Sequence, residues 1–288
     1  MGISSSLGPV REVDLPAGRI RYHETGEGPP VVFVHGLLVN ADLWRKVVPP
    51  VAAAGYRCLS PDWPLGSHTL AMPGADLTPA GVAGLIAAFL DRLDLTDVTI
   101  VANDTGGAIT QILMTRHPER IGRVVLASVD CYDKFLPQSF TLLGTLAHLP
   151  GTVRLATELL RVRALHRLPV AFGWVVKHPV PADIVDSYLL PSRTSKAIRA
   201  DVRRFLKSAR SHYTLEAATR FPSVTFPVLV VWAREEKLFP VPLAERMVRE
   251  LPNATLHLVD DAYTFLPEDQ PEQLTRHILE FMREHVVR

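Results

Sequence analysis

Short apolar runs rich in Val, Leu and Ile alternate along the chain with longer stretches whose apolar residues recur at helical spacing. "REVDLPAGRIRYHETG" reads as two strands joined at Pro16-Ala17-Gly18, a hairpin-like opening. "PPVVFVHG" is a buried strand ending at His35-Gly36, residues 41 to 54 follow a helical pattern, and "YRCLSPD" is a further strand. Asp76 through Asp94 is helical in pattern, with a start at Leu77 to Pro79. Then come the strand that opens "VTIVANDTGGAITQI", a helix from Gly106 to His117, and the strand "IGRVVLASVD". This βαβα rhythm predicts a mostly parallel sheet with helices on both faces.

From about 131 to 220 the strand-like runs vanish, and Pro137, Pro150, Pro169, Pro179, Pro181 and Pro191 separate short helical segments. The rhythm returns at "FPVLVVWAREE", followed by a helix, "ATLHLVDDAY" and a last amphipathic helix from about Pro271 to the end. The expected organisation is a core of residues 1–130 and 221–288 with an inserted helical cap, residues 131–220.

Composition narrows the function classes. Acidic and basic residues nearly cancel, 30 against 31, so no charge footprint points to nucleic acid or an anionic membrane. No stretch approaches 18 uninterrupted apolar residues. Cys58 and Cys131 have no metal spacing and are weak evidence for a disulfide, so a reducing cytoplasm is expected. "MGISSS" fits the permissive myristoylation pattern through Gly2 and Ser6, but no polybasic patch follows closely, and a disordered tail is the expectation.

In such a sheet, ligands sit at the carboxyl ends of the strands. There the third strand delivers His35-Gly36-Leu37 and the fourth Asp62-Trp63, with His68 a little beyond. The fifth delivers Asp104, the sixth Asp130, the seventh Glu235-Glu236 and the eighth Asp260 to Thr264. Asp104 stands at the apex of a strand-to-helix turn flanked by small residues. Its plain alternative is a turn-forming Asp that caps the next helix.

These motifs resemble an α/β-hydrolase fold with a helical cap over nearly the whole chain. "ANDTGG" resembles the nucleophile elbow, with Asp104 at the nucleophile position, and "VHGLL" resembles the His-Gly oxyanion loop. An elbow aspartate is similar to the branch containing epoxide hydrolases and haloalkane dehalogenases. The chemistry fits the residue. A carboxylate attacking a carbonyl would form a reactive anhydride, whereas against an sp³ carbon it displaces a leaving group and forms an alkyl ester. Water can then attack the aspartate's own carbonyl, and the resemblance implies that the N–H groups of Leu37 and Thr105 hold the oxyanion.

The sequence departs from that family pattern in two places. The acid after the seventh strand would be Glu236, whose bland alternative is a solvated charge beside Lys237; Asp130 is the alternative acid. The histidine position after the eighth strand is occupied by Thr264, before Phe265. His257 lies too early in that strand, and His277 and His285 belong to the terminal helix. His68 is the histidine that topology could bring to the site as a surrogate base, with its bland alternative an exposed loop residue. His35 is expected to brace the oxyanion loop. The site after the nucleophile holds Thr105, where dehalogenase relatives often place a halide-holding Trp. Epoxide hydrolases use cap tyrosines as proton donors, and the chain offers Tyr132, Tyr188 and Tyr213. With His35, Trp63, Phe172, Trp174 and Thr264, these are the candidate substrate-contacting residues, although aromatic residues are more often packing than chemistry.

The expectation is a hydrolase acting on a small, largely apolar organic molecule through Asp104, epoxide-hydrolase-like, with Glu236 and His68 as its other catalytic candidates. The alternative is a non-hydrolytic protein, an acid–base cyclase or lyase or a ligand-binding pseudoenzyme. The expected partner is a small-molecule substrate, with a homodimer left open; metal, organic cofactor, nucleic acid and membrane are not expected.

Overall fold

The computed structural model describes residues 3–136, 149, 151–160, 162, 165, 167–168 and 171–285. Gly2 of the myristoylation pattern and part of the expected cap lie outside them. Eight strands form one sheet: β1 (Val10–Leu15), β2 (Gly18–Thr25), β3 (Pro30–Val34), β4 (Arg57–Pro61), β5 (Val98–Asp104), β6 (Ile121–Val129), β7 (Val228–Ala233) and β8 (Ala254–Val259). Their order is β1-β2-β4-β3-β5-β6-β7-β8. The predicted hairpin is present, with Leu15 opposite Gly18, and β2 runs antiparallel to β4. All other pairings are parallel.

The helices are α1 (Val48–Ala53), α2 (Pro79–Arg92), α3 (Thr105–Arg116), α4 (Thr152–Leu159), α5 (Ala182–Thr194), α6 (Lys196–Ser208), α7 (His212–Thr219), α8 (Val241–Glu250), α9 (Leu266–Asp269) and α10 (Pro271–Glu284). Strands β5 and β7 are buried almost throughout, as continuous apolar runs covered on both faces require. The start of α2 is fixed by the Thr78 hydroxyl, which accepts the Gly81 N–H at 3.0 Å, and by Pro79 in the first turn. The helix expected over 41–54 is divided. A short 3₁₀ turn, Ala41–Trp44, is capped by the Asn40 side chain, and α1 restarts at Val48 ahead of Pro49 and Pro50, which fit only a first turn.

Residues 3–9 correct the expectation of a disordered tail. The Ile3 and Ser4 N–H groups donate to the Asp42 carboxylate at 2.7 and 2.9 Å, and Leu7 is fully buried. Between β6 and β7 the described residues contain no strand. Helices α5 and α6 rest on the loop after β4: the Ser67 hydroxyl donates to the Tyr188 carbonyl at 2.6 Å, and the Met72 N–H to Asp201 at 2.8 Å. No helix among the described residues is long and apolar enough to cross a membrane.

The strand order places β3 centrally, with β4 on one side and β5 on the other, so consecutive connections leave β3 and β5 in opposite directions. Such a switch opens a crevice at the carboxyl ends of the strands. The residues at that crevice are Leu37, after β3, and Asp104, which ends β5.

Candidate active site

Asp104 has φ 54° and ψ −135°, a backbone conformation that costs an L-residue free energy and recurs where function over-determines it. The turn is tight because α3 starts at the next residue. A Cβ on Gly107 would lie 2.0 Å from a Val129 methyl, so glycine alone lets α3 approach β6 this closely. On the other side, a Cβ on Gly36 would lie 2.0 Å from Asp104 Oδ2. The oxyanion loop therefore touches the carboxyl directly.

The backbone N–H groups of Thr105 and Leu37 and the Thr105 hydroxyl lie beside the Asp104 carboxyl and favour its charged form. Burial outweighs them and pushes its pKa up to about 6. Protein encloses the carboxyl, yet the side chain keeps part of its surface accessible while Asn103 and Thr105 have almost none.

Two further carboxyls share that neighbourhood. Asp130 is fully buried; its Oδ1 accepts the Leu136 N–H at 3.0 Å, and its Oδ2 has no hydrogen-bond partner. Burial, and then the charges of Asp104 and Glu236, push its pKa well above the usual range, opposed by the Thr105 hydroxyl. Glu236 Oε1 accepts the N–H groups of Lys237 and Leu238, each at 3.0 Å, and the Thr264 hydroxyl at 2.7 Å. Burial pushes this carboxyl up to about 7, against those donors.

Thr264 is buried on the acid after β7, and its carbonyl accepts the Asn103 amide at 2.7 Å. The Asn103 amide also donates to the Ala127 carbonyl at 2.6 Å, fastening the loop after β8 to the elbow and to β6. Asn103 was missed as a positioning residue; its signal was a polar side chain inside the apolar run "VTIVAND". His257 and His277 stack on each other with ring centroids 4.5 Å apart, and the His285 ring meets the Phe281 carbonyl.

Several expected contacts are corrected. His68 is buried, with its Nδ1 accepting the Gly66 N–H at 3.3 Å and its Nε2 donating to Asp201 of α6 at 3.1 Å. Its acceptor nitrogen is occupied and its proton committed, so it is not placed as a base for Asp104. His35 accepts the Trp63 N–H on Nε2 at 2.8 Å and donates from Nδ1 to the Gly36 carbonyl at 2.9 Å. Burial lowers its pKa to about 4, so a neutral ring braces the oxyanion loop and offers substrate nothing. The Trp63 indole is a core residue, donating to the Phe33 carbonyl at 3.1 Å. Tyr132 is held by Glu250 at 2.8 Å and by Arg246 over its ring. Tyr188 is fully buried with its hydroxyl towards Glu268. Trp174 is exposed, and half-buried Tyr213 stacks on His212 at 4.1 Å. Phe172 does line space: with Val176, Lys177 and Tyr263 it borders a cavity of about 790 Å³, one residue from Thr264.

The profile of the alpha/beta hydrolase fold matches residues 29–271, and the chain belongs to that family. It is 27% identical over 277 residues to a 2-hydroxy-6-oxononadienedioate/2-hydroxy-6-oxononatrienedioate hydrolase of Burkholderia vietnamiensis, covering 92% of this chain and 91% of that protein. A haloalkane dehalogenase of Mesorhizobium japonicum is 39% identical over 111 residues, 38% of this chain and 35% of that protein. The structure of the epoxide hydrolase CorEH superposes with a TM-score of 0.79 at 18% identity, over 96% of this chain and 99% of that one.

Two outcomes follow from the geometry. Gly36→Ala forces the Asp104 carboxyl or the loop aside, and a misplacement on the order of 1 Å costs roughly 10²-fold in rate. Rates with a normal melting curve check it. Any reaction that needs the ionised Asp104 carboxylate should also fall about tenfold per pH unit below about 6, where an aspartate of ordinary pKa would hold its rate to about 4. The sign follows from burial: the raised pKa leaves the carboxyl protonated at mildly acid pH.

Proposed function

We propose that this alpha/beta hydrolase acts on a small, largely apolar molecule bearing an electrophilic sp³ carbon, an epoxide first among them, with Asp104 as nucleophile. The observation that carries the reading is the Asp104 carboxyl at a strained elbow, held by the N–H groups of Leu37 and Thr105. One carboxylate oxygen bonds to the epoxide carbon, the ring C–O bond breaks, and its electron pair leaves as an alkoxide that must take a proton. Tyr132 and Tyr188 are engaged elsewhere, which leaves Tyr213, and Asp130 with its raised pKa, as candidate proton donors. Water then adds to the Asp104 carbonyl carbon, and the two N–H groups stabilise the oxyanion. Without the family's histidine this second stage is the slow one, since a general base contributes on the order of 10²- to 10⁴-fold.

The fold relationship to an epoxide hydrolase and the dehalogenase likeness support an aspartate branch. Thr105 in place of a halide-binding Trp favours epoxides over haloalkanes. Residues 131–220 are proposed as the cap, and the unpaired Cys58 and Cys131 fit a cytoplasmic site. A second reading, acid–base catalysis without a covalent stage, is favoured by one feature, the Asp104 pKa near 6.

Incubation with 1,2-epoxyhexane, styrene oxide and 1-bromohexane, followed by mass spectrometry of the peptide holding Asp104, tests this. An adduct on Asp104 is expected. Turnover with no adduct and no solvent ¹⁸O in Asp104 would favour the second reading, and neither adduct nor turnover would overturn the first.

A further inference from the structure

We propose that Glu236 is itself the general base for hydrolysis of the Asp104 ester, accepting the water proton on Oε2 while Oε1 is held by Thr264, Lys237 and Leu238. The inference rests on the nucleophile reading above and adds the group that completes it. Its starting point is an asymmetry. All three hydrogen bonds to this carboxylate converge on Oε1, and Oε2 is enclosed without a hydrogen-bond partner. The Ser128 hydroxyl accepts the Ala233 N–H at 3.0 Å and lies beside the same carboxyl, whose charged form it favours, without forming a hydrogen bond to Oε2. An enclosed acceptor left unpaired costs free energy, and an O–H donor of a water or substrate would relieve it.

The other described candidates are unsuited. His35 and His68 have their acceptor nitrogens filled by the Trp63 and Gly66 N–H groups. His257 and His277 are stacked on one another away from this acid. Asp130 is fully buried, its pKa is pushed well above the usual range, and its Oδ1 already accepts the Leu136 N–H. Glu236 changes charge near pH 7, where a base accepts a proton and releases it with equal ease. Its position also fits. Asp130 feels the charges of both Asp104 and Glu236, so all three carboxyls lie in one electrostatic neighbourhood. The Thr264 loop that grips Glu236 is bonded to Asn103, next to the nucleophile. Among the described residues the other charges around this loop include exposed Lys237, over the Tyr263 ring, and Glu235 and Asp261, both paired with Lys177.

The step balances. A water O–H proton passes to Oε2 as the water oxygen bonds to Asp104 Cγ, and the carbonyl electron pair moves to the oxygen held by Leu37 and Thr105. Collapse of that oxyanion breaks the Cγ–O bond to the alkyl group. The departing alkoxide takes the proton back from Oε2, leaving Glu236 ionised and Asp104 a carboxylic acid that ionises to solvent.

The test follows ester formation and decay separately, with 1,2-epoxyhexane as probe in ¹⁸O-water, in wild type, Glu236→Gln and Glu236→Asp. Glutamine keeps an Oε1 acceptor for the same three donors, and melting curves confirm folding. Expected is labelling of Asp104 at a rate within about threefold of wild type in both variants, with decay slowed on the order of 10²- to 10⁴-fold in Glu236→Gln. Wild-type decay should rise through an inflection near pH 7 that Glu236→Gln lacks and Glu236→Asp retains in shifted form. A purely structural role for Glu236 would not move that inflection. Ester that decays equally fast in Glu236→Gln, or keeps the inflection, overturns the inference and leaves the nucleophile reading standing. Absence of both ester and ¹⁸O in Asp104 of the wild type overturns the nucleophile reading itself, and this inference with it.

Discussion

Asp104→Asn should abolish covalent labelling by 1,2-epoxyhexane and lower turnover on the order of 10⁴-fold or more, the scale on which loss of a nucleophile acts. Asparagine is the informative replacement because it tolerates positive φ and keeps an acceptor for the Leu37 and Thr105 N–H groups. The elbow therefore survives while the charge is removed. The same variant should be more stable than wild type at neutral pH. The native Asp104 pKa is raised from 3.8 to about 6, so the folded state binds more protons than the unfolded state between those values. Stability attributable to this group is present at low pH and falls as pH rises through that window. Asparagine escapes that loss, so the gain should be about 1–2 kcal/mol at pH 7, trimmed because the side chain keeps some accessible surface, and should vanish near pH 4. Denaturant melts at the two pH values check it, and equal stability at both would mean that the carboxyl is better solvated than its enclosure implies.

Such a cost is what a site built for chemistry carries. Strained backbone at Asp104, a buried Asp130 with an unpartnered oxygen and an unpaired Glu236 oxygen all oppose folding, and the apolar strands β5 and β7 supply the burial that offsets them. The Asn103 amide shows how the two are joined. One polar side chain in an apolar strand holds β5, β6 and the loop after β8 in one arrangement.

What was legible in the sequence was whatever depends on strand position. The run "VTIVAND" ends at the crevice because a parallel strand must end there, and Leu37 follows from the same rule one strand away. Glu236 and Thr264 were each legible as strand-end residues, and their hydrogen bond, which the sequence alone did not show, follows from β7 and β8 lying side by side. What failed was side-chain direction. His68 does leave β4 on the elbow's edge of the sheet, but its ring is captured by Asp201, 133 residues further along the chain. Trp63 and Tyr132 also follow strand ends, yet a carbonyl of β3 and the Arg246–Glu250 pair take their polar atoms. A hydrogen-bond partner so distant in sequence leaves no periodic trace, and an aromatic residue reads the same whether it packs or reacts.

Thr264→His should speed decay of the Asp104 ester on the order of 10²-fold or more, towards the 10²- to 10⁴-fold that a positioned general base contributes. The position is prepared for it. Glu236 Oε1 already accepts a hydrogen bond from the residue-264 side chain, so an imidazole there can donate one N–H to that oxygen and direct its other nitrogen towards the ester. Its cost is space: Thr264 is fully buried, and overpacking typically costs about 1–3 kcal/mol, which a lowered melting temperature would show. Ester formation should be unchanged, because it uses only Asp104 and its N–H donors, so the gain belongs to the second stage alone. Adding Glu236→Gln tests the assignment further. In Thr264→His the glutamate only orients the ring, so its removal should cost less in decay rate than it does with threonine at 264, where it is the base. An equal or larger loss in the Thr264→His background would mean that Glu236 acts by holding the loop after β8 in place, and no improvement from Thr264→His alone would mean that this side chain does not reach the ester.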